Sequence, residues 1–292
     1  MPSASSVQSL AELKSKTISA PFAELFPSRG FARKIFDGSQ AGFPTFHGLL
    51  VDGEYANKYP EVVVAYLRAA IEANTLLSAK TEKYSELIAK VTGINAPVNY
   101  LFHEPLGFQT RDLTWKPEYR KDVATSVETL KLLKRADTGL DLDTLITDKY
   151  IRAAFEASGL DYDARLADYA PLPLIANEVA TGKPIKDTKR VAEIWLKDEP
   201  KVRHYATPES ALKALTGFEK AGKAACTVYA QDHDKGFKLL ADQAWFVLSA
   251  KGEVDVFLLK GDADGFAQKS GGEVKDYNGA KLAAQGLPTA SR

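Results

Sequence analysis

"VAEIWLKDEPKVRHYATPESALKALTGFEKAGKAACTVYAQD", residues 191–232, decides how this chain is read. Two short apolar runs, "VAEIWL" and "KVRHYA", flank the turn "KDEP". A helical segment then opens at Thr207, with Pro208 and Glu209 behind it, and a third apolar run follows Gly222. Threonine before proline is a good N-cap with proline at N1. The same order recurs downstream: "QAWFVLS", turn "AKGE", "VDVFLLK", helix "GDADGFAQKSGG" closed by Gly271, and "EVKDY". Each half therefore reads β-β-α-β. Neither half buries its sheet face alone, so the two are expected to pack as one α+β unit.

Working backwards, residues 170–190 carry three prolines, a glycine and no sustained periodicity, which reads as a linker. Ahead of it the hydrophobic period is that of helices. "YPEVVVAYLRAAIEANTLLSA" places Val62, Val63, Tyr66, Leu67, Ala70, Ile71 and Leu76 at helical spacing, with Pro60 and Glu61 in the first turn. "TEKYSELIAKVTG" ends at Gly93, a C′ stop. "PEYRKDVATSVETLKLLKRA" aligns Val123, Val127, Leu130 and Leu133. "TDKYIRAAFEASGL" offers Thr147 as N-cap and Gly159 as stop. "QSLAELKSKTISA", residues 8–20, reads as a short helix and a strand, and "FHGLLVD", residues 46–52, as a further strand. The expected class is α+β: a helix-rich domain over residues 1–175, then two ββαβ repeats over residues 176–292.

The chain has 292 residues, with 38 Lys+Arg against 38 Asp+Glu. That balance offers no electrostatic case for nucleic acid or an anionic membrane surface. The single cysteine, Cys226, excludes an internal disulfide and a multi-cysteine metal cage. It precedes apolar strand residues and is expected to be buried. No apolar run is read as approaching the ~20 residues of a membrane span. The first residues lack the apolar core of a secretory signal, so either the protein is cytoplasmic or the signal has been removed.

Two resemblances add to this reading. "LAELKSKTISAP", "GFARKIFDGSQAGFPTFHGLLVDGEYANKYPEVVVAYLRAAIEAN" and "ITDKYIRAAFEASGLDY", in that order, resemble the periplasmic solute-binding proteins of ABC importers for sulfonates, taurine and nitrate. The resemblance implies a remnant of an α/β periplasmic-binding lobe, with the family's first lobe absent and the second cut short. It also implies a periplasmic location, a small organic molecule or anion as ligand, and an inner-membrane ABC permease as partner. Residues 190–278, through "VRHYATPESALKAL", "CTVYAQDHDKGFKLLADQAWFVLSA" and "FAQKSGGEVKDY", resemble the NosL lipoproteins, which bind copper and assist nitrous oxide reductase. That family's cysteine-rich copper motif has no counterpart here, so its ligands do not carry over.

Candidate chemistry is sparse. Thr45, Phe46, His47, Phe102, His103 and Arg111 combine aromatic walls with a few polar groups, as small-molecule pockets do. The importer resemblance puts their segments near the hinge, where Arg111 would clamp an anion in bidentate fashion. Trp195 and Trp245 are expected as paired core residues, and Asp141 and Asp143 lack the rest of a calcium loop. "YAQDHDKGF", residues 229–237, places Asp232, His233 and Asp234 in a row. Consecutive strand residues point to opposite faces, so these three do not converge on one ion, and the stretch reads as the turn between the repeats. No cofactor and no catalytic fingerprint are read, so an enzyme is not expected. The main expectation is an importer's solute-binding component. The alternatives are a metal-handling accessory protein using His204 or His233 with nearby carboxylates, and a protein-interaction module docking on a periplasmic enzyme.

Overall fold

In the computed structural model the described residues are 22–32, 48–107, 113–135, 139, 141–168 and 174–286. The chain forms two compact units. One combines residues 1–36, 80–110 and 172–292; the other combines 37–79 and 111–171. The last crossing between them is at 171/172. The segment 80–110, however, groups with the sheets rather than with the other helices.

The sheet-bearing unit contains the repeat. Strands β1 (Ala192–Leu196), β2 (Arg203–Tyr205), β3 (Ala225–Gln231) and β4 (Lys238–Leu240) form an antiparallel sheet in the order β2-β1-β3-β4. Strands β5 (Trp245–Leu248), β6 (Val254–Phe257) and β7 (Glu273–Asp276) form a second one in the order β6-β5-β7. The first strand of each half is thus central, its hairpin partner lies on one side, and the strand after the helix lies on the other. The fold is α+β, as the sequence predicts, and both halves keep one topology.

Period-2 alternation sorts the first sheet into two faces. Ala192, Ile194, Leu196, Tyr205, Val228, Ala230 and Leu239 join Phe246, Leu248, Val254 and Val256 of the second sheet in one apolar core. Helix α10 (Pro208–Lys220) closes it with Ala211, Leu212 and Leu215. Thr207 caps α10 by accepting the Ser210 N–H at 3.3 Å, and Pro208 sits at N1. Thr207→Ala should cost about 1 kcal/mol in urea unfolding; a loss below a third of that would show that the cap contributes little. Helix α11 (Lys260–Ser270) ends in Gly271 at φ 74°, the left-handed cap expected there. Helix α12 (Tyr277–Ala284) follows β7 directly and was not foreseen. Asp276 supplies its N-cap by accepting from Gly279 N.

The remaining helices of this unit precede the repeat. They are α1 (Phe22–Ser28), α4 (Thr81–Thr92) and α5 (Ala96–His103). Gly93, at φ 72°, ends α4 as predicted. Asn99 Nδ2 then donates to Ser85 O at 3.2 Å and to Ile94 O at 3.0 Å, tying α5 to α4.

The other unit is helical: α2 (Gly53–Lys58), α3 (Pro60–Ala79), α6 (Pro117–Leu132), α7 (Leu142–Leu145), α8 (Lys149–Ala157) and α9 (Tyr162–Ala167). Ile71 of α3 packs with Ala154, Phe155 and Tyr162, and Val63 packs with Ala56 and Tyr150. Val62, Tyr66 and Leu76 of the same periodic set are exposed, as are Leu130 and Leu133 in the α6 set.

Several expectations are corrected. Residues 48–52 form no strand: Leu49 and Leu50 are exposed, and Asp52 is spent as the N-cap of α2, accepting from Tyr55 N at 2.8 Å. Asp148, not Thr147, occupies the cap position of α8, and Thr147 Oγ1 accepts the Lys149 N–H at 3.2 Å. Helix α3, with 20 residues and a mean hydropathy of 1.3, is long and apolar enough by length and composition to cross a membrane, contrary to the reading that no run approaches a span. Only 11% of its apolar window is buried. The segment read as helix and strand over 8–20 lies outside the described residues.

Candidate functional site

The second face of the first sheet is where the chemistry collects. Alternation puts Glu193 and Trp195 of β1, His204 of β2, Tyr229 of β3, and Lys238 and Leu240 of β4 on that face. Helix α5 covers it with Tyr100 and Leu101, which pack with Trp195, Val202, Tyr229 and Leu240. Its C-cap residue is Glu104, and the loop beyond returns tightly, with Gly107 N donating to Glu104 O at 2.9 Å. A Cβ at Gly107 would lie 2.7 Å from Leu101 O, so only glycine permits this turn and the placement of Glu104 that goes with it.

Lys238 Nζ sits 2.5 Å from Glu104 Oε1 and 2.6 Å from Glu193 Oε1, with these side chains at most 1% exposed. The ammonium also lies 5.3 Å from the Tyr100 ring centroid and 5.5 Å from that of Tyr229. One buried cation thus serves two buried carboxylates and two aromatic faces. Among the described residues Glu193 Oε2 has no hydrogen-bond donor. Burial, and then the Glu193 carboxylate, push the Glu104 carboxyl up to about 7 against the pull of Lys238. A single proton therefore brings the trio to neutrality. His204 Nε2 is 3.7 Å from Glu193 Oε1, yet burial, and then Lys238, lower its pKa to about 4, so the ring is neutral at physiological pH. Burial likewise raises both tyrosine hydroxyls well above their ordinary range. Tyr229 Oη donates to Pro97 O at 2.9 Å in the first turn of α5.

Beside this layer lies an open cleft of about 470 Å³. Ala96, Pro97 and Trp195 supply apolar wall; Glu86, Lys197, Asp198 and Glu199 supply charge; Cys226 also lines it. Cys226 is exposed, not buried as expected. The register of β3 against β1 shifts at Trp195/Leu196, and the first residues of β3 escape the packing that buries Val228 to Gln231. Burial still raises its thiol pKa, so it is a thiol rather than a thiolate at neutral pH.

The residues singled out from sequence fare unevenly. Phe102 and His103 are half-buried in the last turn of α5, with ring centroids 6.5 Å apart, and neither lines the cleft. Thr45, Phe46, His47 and Arg111 lie outside the described residues. Trp195 is buried and Trp245 half-buried, in different clusters rather than as a pair. Asp141 caps α7 by accepting from Asp143 N at 2.9 Å.

The "DHD" stretch is structural. Asp232 is buried, and its carboxylate accepts the N–H groups of Asp234, Lys235 and Leu258 at 3.0, 2.7 and 2.8 Å. It closes the turn between the repeats and ties that turn to the strand end of β6. His233 rests on Phe266, with centroids 4.6 Å apart, and its Nδ1 lies 3.0 Å from Asp234 Oδ1. Among the described residues no group of three His, Cys, Asp or Glu side chains is placed to hold a metal ion.

The fold and its buried layer define a doubled ββαβ unit with an ionic face under a helix. No family model matches the chain, and no curated protein is similar to it. Among solved structures, the crystal structure of the copper chaperone NosL from Shewanella denitrificans matches 38% of this chain and 93% of that one. Sequence identity is 19% and the TM-score 0.31, a likeness too slight to bear on function.

Proposed function

We propose that this chain is a non-catalytic binding protein whose ligand, a small polar organic molecule, seats in the cleft beside Trp195. The observation that carries this reading is the cleft itself, about 470 Å³ with an apolar wall from Ala96, Pro97 and Trp195 and a few charged groups around it. That volume falls within the range of roughly 300–1,000 Å³ usual for small-molecule sites. The finer form of this reading, taken from the resemblance of the segments ahead of the repeat to importer solute-binding proteins, is delivery to a periplasm-facing ABC permease. A metal-handling role is the second reading, for which the exposed Cys226 thiol in the cleft is a single candidate soft ligand.

Because Cys226 is the chain's single cysteine, its alkylation reports occupancy of the cleft directly. A panel of sulfonates, carboxylates, amines and sugars is screened by thermal shift, and each stabilising compound is tested for slowing of maleimide labelling. A true cleft ligand slows labelling at least about tenfold at 100 times its Kd, while stabilising the fold by about 2.7 kcal/mol. A stabilising compound that leaves the labelling rate unchanged binds elsewhere and contradicts the assignment, as does a panel with no hit. Protection by copper(I) or zinc alone would favour the metal-handling reading.

A further inference from the structure

We propose that Glu104, Lys238 and Glu193 form a proton-controlled latch that holds α5 against the first sheet, and that this latch sets the geometry of the cleft. The clause about the cleft rests on the binding reading above; the latch does not. The two ends of α5 do different jobs. Its C-terminus carries Glu104, seated on the Lys238 ammonium. Its first turn carries Ala96 and Pro97, which wall the cleft. Tyr229 links them: its ring packs on Tyr100 and near the ammonium, and its hydroxyl holds Pro97 O.

The groups acting on Glu104 are Tyr100 on α5 itself, Glu193 on β1, His204 on β2, Tyr229 on β3 and Lys238 on β4, while Glu82 on α4, half-buried, acts on Tyr100, His204 and Tyr229. Only Lys238 is a cation near neutrality, because His204 is held neutral there. With Glu104 protonated, the buried layer is balanced, one carboxylate to one ammonium. With Glu104 ionised, it carries an uncompensated negative charge in a buried interface, which opposes closure.

The sign follows from linkage. Burial raises the Glu104 pKa in the docked state to about 7, above its ordinary 4.5. The docked state therefore binds the extra proton, and its advantage is lost as pH rises through about 7. Between pH 6 and pH 8 a group with these two values weakens docking by about tenfold. His204, with a docked value of about 4 below its ordinary 6.5, works in the opposite direction as pH falls. A comparison that cancels His204 is therefore required.

Hydrogen exchange of the α5 amides supplies it, with no ligand present. Protection factors, already corrected for intrinsic exchange, are measured at pH 6 and pH 8 in the wild type and in Glu104→Gln. Gln keeps the shape and removes the proton. The fall in protection from pH 6 to pH 8 in the wild type should exceed that in the variant by about tenfold. Equal pH dependence in the two proteins overturns the latch. If Glu104→Gln does not fold, His204→Asn replaces it, and α5 protection should then fall about tenfold across the same range; a flat profile overturns the proposal. Failure of the ligand panel with a positive exchange result would reject the cleft reading and leave the latch standing.

Discussion

Lys238→Met should destabilise the protein by about 3–5 kcal/mol in urea unfolding at pH 7. Methionine fills much of the same volume, so the loss measures charge rather than a cavity. Removing the ammonium leaves Glu104 and Glu193 both fully buried without the cation that pairs them. Stability should partly return as pH falls toward 5, because the folded state holds Glu104 protonated and keeping that proton then costs less. A loss under about 1 kcal/mol would show that the buried carboxylates find other partners in solution.

Asp232→Ala should cost about 3 kcal/mol. The carboxylate accepts three backbone N–H groups, and Leu258 N, one of them, is buried. Alanine leaves those donors unanswered. Asp232→Asn should recover part of the loss, since the amide oxygen still accepts. The neighbouring His233→Ala should leave metal content unchanged, because its ring packs on Phe257 and Phe266 rather than joining a ligand set. A loss below 1 kcal/mol in Asp232→Ala, or a stoichiometric metal that departs with His233, would contradict the structural reading of this turn.

The repeat was legible because each half writes out its own periodicity and punctuation. Alternation marks the strands, Thr207-Pro208 opens one helix, and Gly271 closes the other. The helix starts were less legible where aspartate rather than Thr147 or a visible breaker takes the cap position, as at Asp52, Asp161 and Asp148. The grouping of α4 and α5 with the sheets was not legible at all. Their periodicity shows that they bury a face, and nothing in it names the partner.

The ionic layer was missed for a related reason. In "DHD" three candidate ligands stand together, whereas Glu104, Glu193 and Lys238 lie far apart in sequence. A weaker signal was present. Glu193 is the one charge inside the apolar run "VAEIWL", and Lys238 stands at the head of "KLL". Each of these strands is buried throughout. An acid in one buried strand and a base in another are expected to meet when the strands share a face, because neither is tolerated alone. The sequence cannot supply which face they share; β3, standing between β1 and β4, does.

The central claim is that this buried acid–base layer, rather than the metal-like stretch beside it, is the chemical centre of the protein. A double-mutant cycle between Lys238 and Glu193 tests it most directly, using Lys238→Met, Glu193→Gln and the pair together in urea unfolding. The account predicts that the pair loses less than the sum of the singles, with a coupling of about 2 kcal/mol or more. Additivity within about 0.5 kcal/mol would contradict it.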